Sequence, residues 1–293
     1  MKSLLAASAL VLIVGSCAGA GTRGSTTTTG PVTPTSASVT PTTSTTSPSP
    51  TSSTAPATTS TTALATTSTT TGEPLAGRTV VLDPGHNGMN WAHPEEINRQ
   101  VDIGTGVKAC NTTGTSTEDG YAEASFTWEV AQRTVPLLEA LGATVLLTRS
   151  DNEGWGPCIT ERAALGNEAG ADVAISIHAD GGAAEGRGFH VIYPPVVDGL
   201  TEDIAEDSRR LAETLHAAYQ ATGMPIADYI ADGGFSVRDD LGGLTLSDVP
   251  VVFLEAGNMR NVEDAALLGD ADFQQLIAEA ITEAVVTFLE TTP

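Results

Sequence analysis

Three stretches of this chain run apolar and then stop at an ionisable side chain. Val80-Val81-Leu82-Asp83 leads into Pro84-Gly85-His86, Ala174-Ile175-Ser176-Ile177 into His178-Ala179-Asp180, and Val251-Val252-Phe253-Leu254 into Glu255-Ala256-Gly257-Asn258. Short apolar runs bounded by turn residues predict buried strands. In open α/β sheets, ligands bind beyond the carboxyl ends of the strands. If the three strands are neighbours, two imidazoles and a carboxylate meet at one edge of the sheet. Two His and one carboxylate suit Zn²⁺, with a fourth position left open for water. A further acid outside the coordination sphere would take that water's proton. Glu123, at the start of a helical pattern, and Glu255 are both available, and spacing alone does not say which ligates and which is the base. The competing reading of a strand-end His is a core residue satisfied by backbone. Two such His in a chain with only 5 weigh against it. His190, inside a strand pattern, and His216, on an amphipathic helix, read as structural, and His93 has no motif around it.

The elements that must position these groups alternate between strand and helix. Strands are predicted at 78–83, 143–148, 172–178, 188–193 and 249–254. Helices are predicted at 124–141, 159–169, 202–221, 262–269 and 271–290. Pro136 is expected to kink the first helix or break it early. Residues 87–119 show no sustained periodicity and read as one long loop containing Cys110. Several strands are apolar on both faces, which argues an α/β domain with helices covering a mixed, mostly parallel sheet.

Composition divides the chain. It has 293 residues and a formal net charge of −23. Lys2, Arg23 and Glu73 are the charges before residue 77, a net +1, so 77–293 carries −24. So acidic a domain repels phosphate backbones and anionic membrane surfaces, excluding nucleic-acid binding and attachment through a basic patch. Residues 1–24 read as a secretory signal: Lys2, an apolar run too short to span a bilayer, then Gly15-Ser16-Cys17. Val14-Gly15-Ser16-Cys17 resembles the lipobox of bacterial lipoproteins, in which the Cys is acylated. Cleavage after Ala18-Gly19-Ala20 is the alternative, and would release a soluble protein. Residues 25–76 are dominated by Ser, Thr and Pro and are expected to be a disordered tether, leaving 77–293 as the catalytic domain. With Cys17 lipidated or removed, Cys110 and Cys158 remain as the pair expected to form a disulfide in an oxidising compartment. Closing that loop of about 49 residues contributes roughly 4 kcal/mol on the chain-entropy account.

Taken in order, Val81-Leu82-Asp83-Pro84-Gly85-His86, a Glu before a helix, Thr148-Arg149, Arg162 with Asn167, Ile175-Ser176-Ile177-His178-Ala179-Asp180 and Pro250-Val251-Val252-Phe253-Leu254-Glu255-Ala256-Gly257-Asn258 resemble the zinc-dependent N-acetylmuramoyl-L-alanine amidases of bacterial cell walls. The resemblance runs from about residue 78 to 290. It implies a twisted mixed sheet of about six strands flanked by helices, one zinc held by His86, Glu123 and His178, and Glu255 as the catalytic glutamate. It implies hydrolysis of the amide between N-acetylmuramic acid and the L-alanine of the stem peptide. The chain departs from the family pattern after His86, where Asn87-Gly88 stands in place of a Gly pair. Its two domain cysteines look like a feature of a single-domain branch. A peptidase acting on wall crosslinks and a non-catalytic wall-binding lipoprotein are the alternatives. The expected setting is the cell envelope, with peptidoglycan or muropeptide as substrate, a lipid anchor as the one membrane contact, and a monomeric chain. A domain this acidic is not expected to adhere to the wall by simple attraction.

Overall fold

The computed structural model describes residues 73–292; Cys17, the signal and most of the tether lie outside them. The first strand, β1 (Thr79–Pro84), is followed by a 3-10 turn (Asn90–Ala92), a single helical turn α1 (Pro94–Ile97) and a small hairpin, β2 (Gln100–Asp102) with β3 (Val107–Ala109). Then come α2 (Glu123–Ala140), β4 (Thr144–Leu147), α3 (Ile159–Ala169), β5 (Val173–Asp180), β6 (His190–Tyr193) and α4 (Ala205–Gln220). The chain finishes with β7 (Phe235–Val237), α5 (Gly242–Thr245), β8 (Val251–Asn258), α6 (Val262–Leu268) and α7 (Ala271–Thr291).

Six strands form one sheet in the order β4-β1-β5-β8-β6-β7. β4, β1, β5 and β8 run parallel; β6 is antiparallel to β8, and β7 is parallel to β6. The mixed, mostly parallel sheet expected from the sequence is therefore present. Alternate residues of the central strands face two cores. Val80, Leu82, Ile175, Ile177, Val252 and Leu254 pack with Phe126, Leu215 and Ile281 beneath α2, α4 and α7. Val81, Ala174 and Val251 face the other way, against Leu165 of α3 and Leu244 of α5. Burying each large aliphatic side chain contributes about 1.5–3 kcal/mol, and strands covered on both faces read as the continuous apolar runs seen here.

Two expectations are corrected. Residues 87–119 are not one irregular loop: they hold the 3-10 turn, α1 and the hairpin, none longer than four residues and so too short to show a period. Pro136 does not break α2, which runs on to Ala140. Its ring lies on the exposed face, where water can serve the Gln132 carbonyl that loses its N–H partner. Cys110 and Cys158 are joined, tying the hairpin's outgoing strand to the start of α3.

Candidate metal centre

The three ionisable strand ends lie on adjacent strands, because β1, β5 and β8 are consecutive in the sheet. His178 and Glu255 are register partners across β5 and β8, and a bulge follows at once on β8, where Glu255 to Asn258 spans the same stretch as His178 to Asp180. Such a bulge re-aims the chain at the rim of a sheet. His86 follows β1 in the left-handed conformation, φ 61°. For a non-glycine residue this costs about 1–3 kcal/mol and persists only where the surroundings over-determine it. Here they do. The Gly85 amide donates to the Ile177 carbonyl (3.0 Å), and Arg162 Nη2 donates to the His86 carbonyl (2.5 Å).

Glu123, the first residue of α2, completes the group. Its Oε1 lies 3.0 Å from His86 Nε2 and 3.0 Å from His178 Nδ1. One ligand atom from each of the three residues lies within 4.8 Å of the others. The Thr112 carbonyl is 3.0 Å from His86 Nδ1. It accepts a hydrogen bond from Nδ1–H and so orients the ring with Nε2 toward Glu123, which is how metal-ligating imidazoles are fixed. The His178 ring is stacked on Phe253 at 5.2 Å, and Gly85 leaves it room, since a Cβ there would sit 2.3 Å from His178 Cε1. Burial works against ionisation of Glu123, but the two imidazoles outweigh it and hold the carboxyl well below its usual range. A buried carboxylate between two imidazole nitrogens is a ligand set that fits a divalent cation with a preference for nitrogen and oxygen, which would displace the protons the imidazoles otherwise direct at Glu123.

Glu255 differs in every respect. No described residue hydrogen-bonds its carboxylate, and burial, aided by the charges of Glu123 and Asp180, pushes it up to about 8. Beneath the centre, two largely buried arginines carry the scaffold. Arg162 Nη1 donates to Asp83 Oδ1 (2.6 Å) and to the Pro84 carbonyl (2.8 Å). Arg149 reaches the Pro84 and Ala124 carbonyls at 2.9 and 2.8 Å, linking the tip of β1 to the first turn of α2. Asp83 accepts further from Ser176 and Thr148; burial raises its pKa, but Arg162 and these donors bring it down to about 2. Asp83, Thr148-Arg149 and Arg162 all belong to the motifs that carry the resemblance, but nothing in their spacing shows that they form one network.

The other predicted residues fall outside the centre. His190 is buried on β6 opposite Glu255, its Nδ1 without a partner among the described residues, and burial pushes it down to about 4. His216 stacks on Phe235 at 4.4 Å, and His93 on Trp155 at 5.5 Å. Glu129, a second acid on α2, accepts from the Tyr121 hydroxyl (2.6 Å), away from the imidazoles.

The family description "N-acetylmuramoyl-L-alanine amidase" matches residues 80–287. The chain belongs to this amidase family. The amidase is 43% identical over 220 residues to N-acetylmuramoyl-L-alanine amidase Rv3717 of Mycobacterium tuberculosis, covering 74% of this chain and 88% of that one. It superposes on the crystal structure of the amidase Ami1 from Mycobacterium smegmatis with a TM-score of 0.70 at 41% identity, covering 74% of this chain and 99% of that one. The catalytic domain of CwlV from Paenibacillus polymyxa, at 22% identity and a TM-score of 0.55, covering 73% of this chain and 99% of that one, shares the fold. The six-stranded α/β architecture of the amidase is thus that of its structural neighbours.

Proposed function

We propose that the chain hydrolyses the amide between the lactyl group of N-acetylmuramic acid and L-alanine, in peptidoglycan or its fragments, with zinc held by His86, Glu123 and His178. The observation that carries this reading is the convergence of those three side chains from separate elements, with the unpartnered carboxylate of Glu255 at the register position beside His178. Bound zinc supplies a Lewis acid and lowers the pKa of an attached water to about 7. The chain's own residues do the rest. His86 is held in one tautomer by Thr112. Glu255 accepts the water's proton and delivers one to the leaving amine, a double duty suited to a carboxyl whose pKa is raised toward neutrality. The cavity over these residues has a volume of about 510 Å³.

Digestion of purified muropeptides with the full chain, with and without chelator, tests the proposal. Mass analysis should show intact stem peptides freed from the sugar, absent with chelator and restored by zinc. Cleavage within the peptide crosslinks would instead select a wall peptidase, and no cleavage a binding protein. Glu123→Ala should lose the stoichiometric metal. We further infer that the chain acts outside the cytoplasm as a monomer, lipidated at Cys17 and carried on the Ser/Thr/Pro tether. Among the described residues no helix is long and apolar enough to cross a membrane.

A further inference from the structure

The reaction cavity extends sideways from the metal centre along the face of the sheet. Glu255 pairs with His190, Phe253 with Ile192, and Ile192 in turn with Ser236, so these residues share one face of β8, β6 and β7. Arg238 lies two residues beyond Ser236 and continues the ladder, its amide donating to the Tyr193 carbonyl (3.1 Å). It therefore belongs to the same face, two strands across from Glu255 and four residues further along β7 than the level of Glu255, roughly 16 Å between backbones at the usual spacings. The cavity is lined at one end by His86, His178 and Glu255, and at the other by Lys108, Arg238 and Asp240.

The charges at that far end do not balance. Arg238 Nε and Nη2 fork onto the two oxygens of Asp240 at 2.8 and 2.9 Å, and Lys108 Nζ reaches Asp240 Oδ2 at 2.9 Å. Two cations share one carboxylate. Among the described residues Arg238 Nη1 donates to nothing, and Lys108 makes no second bond. Lys108 is also the only lysine after Lys2. In a domain carrying −24, a net positive wall inside the reaction cavity is out of keeping with the rest of the surface. A simple surface ion pair between Arg238 and Asp240 would need no lysine from the hairpin. Asp240 instead pre-orients one edge of the guanidinium and leaves another free, and a planar guanidinium matches a carboxylate in geometry as well as charge.

We propose that Arg238, assisted by Lys108, receives a carboxylate of the leaving peptide about two to three residues beyond the scissile amide. This rests on the amidase reading above. The placement follows from the arginine's reach back over β6, which shortens the span from its guanidinium to the reacting centre to roughly 10 Å, while an extended peptide covers about 3.3–3.6 Å per residue. The subsite would make the enzyme selective for stem peptides whose acid groups are free over those in which they are amidated.

The test uses two synthetic peptides that begin with L-alanine and differ only at the second residue, one carrying a free α-carboxylate and the other its carboxamide. Each is titrated into the zinc-loaded full chain by calorimetry. The acid should bind about 10-fold more tightly than the amide, the size of one charge-assisted hydrogen bond. Arg238→Gln should bring the two within about 2-fold, Arg238→Lys should keep part of the preference, and Lys108→Gln should reduce it less than Arg238→Gln does. With the matching muropeptides the preference should appear in KM rather than in kcat. Equal binding of acid and amide by the wild-type chain would overturn the proposal, as would an undiminished preference in Arg238→Gln. Failure to cleave either muropeptide would count against the amidase reading alone, because the titration reads the subsite without catalysis.

Discussion

Replacing Glu255 by Gln should move stability and activity in opposite directions. In the metal-free chain, burial and the nearby carboxylates of Glu123 and Asp180 raise Glu255 from 4.5 to about 8. The folded state then binds the proton more tightly than the unfolded state. The resulting stabilisation is complete below about pH 4.5 and is lost as the pH rises through about 8. At pH 7 the loss amounts to about 3 kcal/mol. Glutamine carries no charge to desolvate, so the metal-free variant should exceed the wild type by about that amount at pH 7, a Tm rise of roughly 6–12 °C for a domain of this size. Urea unfolding of chelator-treated protein from pH 5 to 9 reads it directly. The upward shift of His86 and the downward shift of His190 are present in both proteins, so the difference curve isolates Glu255. Activity should fall about 10²–10⁴-fold with the metal content unchanged. A flat difference curve, or a variant less stable than the wild type at pH 7, would refute the buried-carboxylate argument, and normal turnover would remove Glu255 from the mechanism.

Asp83→Asn should cost about 3–5 kcal/mol at pH 7, because it strands the buried Arg162 guanidinium; denaturant unfolding checks this, and a loss below about 1 kcal/mol would mean that the arginine's carbonyl partners suffice. The same carboxylate, lowered to about 2, makes a contribution that is present above about pH 3.8 and fades as the pH falls through 2, a fade the variant should lack. Gly85→Ala should displace the His178 ring and weaken metal binding at least 10-fold while far-ultraviolet circular dichroism stays native; competition with a chromogenic chelator measures the affinity.

What was legible in the sequence follows from what a strand must do. β1, β5 and β8 are buried on both faces, so each writes a continuous apolar run, and the residue ending the run stands at the sheet edge where ligands bind. His86, His178 and Glu255 could be picked out that way. Their adjacency could not, since it depends on strand order, and Asp83 and Arg162 are 79 positions apart. Glu123 was placed by the resemblance together with the helical pattern that follows it; bottom-up, Glu255 competed for the same role, and only the position of α2 over β1 and β5 brings its carboxylate between two imidazoles. The hairpin and β7 escaped notice because three residues carry no period. Arg149 and Arg162 are part of the motif, but nothing local to them shows that they are buried, and they are 4% and 7% exposed. Guanidinium groups are rarely buried so far unless paired.

Average charge misleads in a similar way. A net −24 argues that the domain as a whole gains nothing by approaching an acidic polymer, and at distances beyond about 8–10 Å in physiological salt that argument holds. Inside the cavity it does not, because there the nearest charges decide. Lys108 and Asp240 come together across 132 positions, and the local balance changes sign at the end of the cavity away from the metal centre. An enzyme so arranged is repelled by anionic surfaces in general and attracts a carboxylate only when the peptide bearing it is already seated. That combination favours selectivity over adhesion.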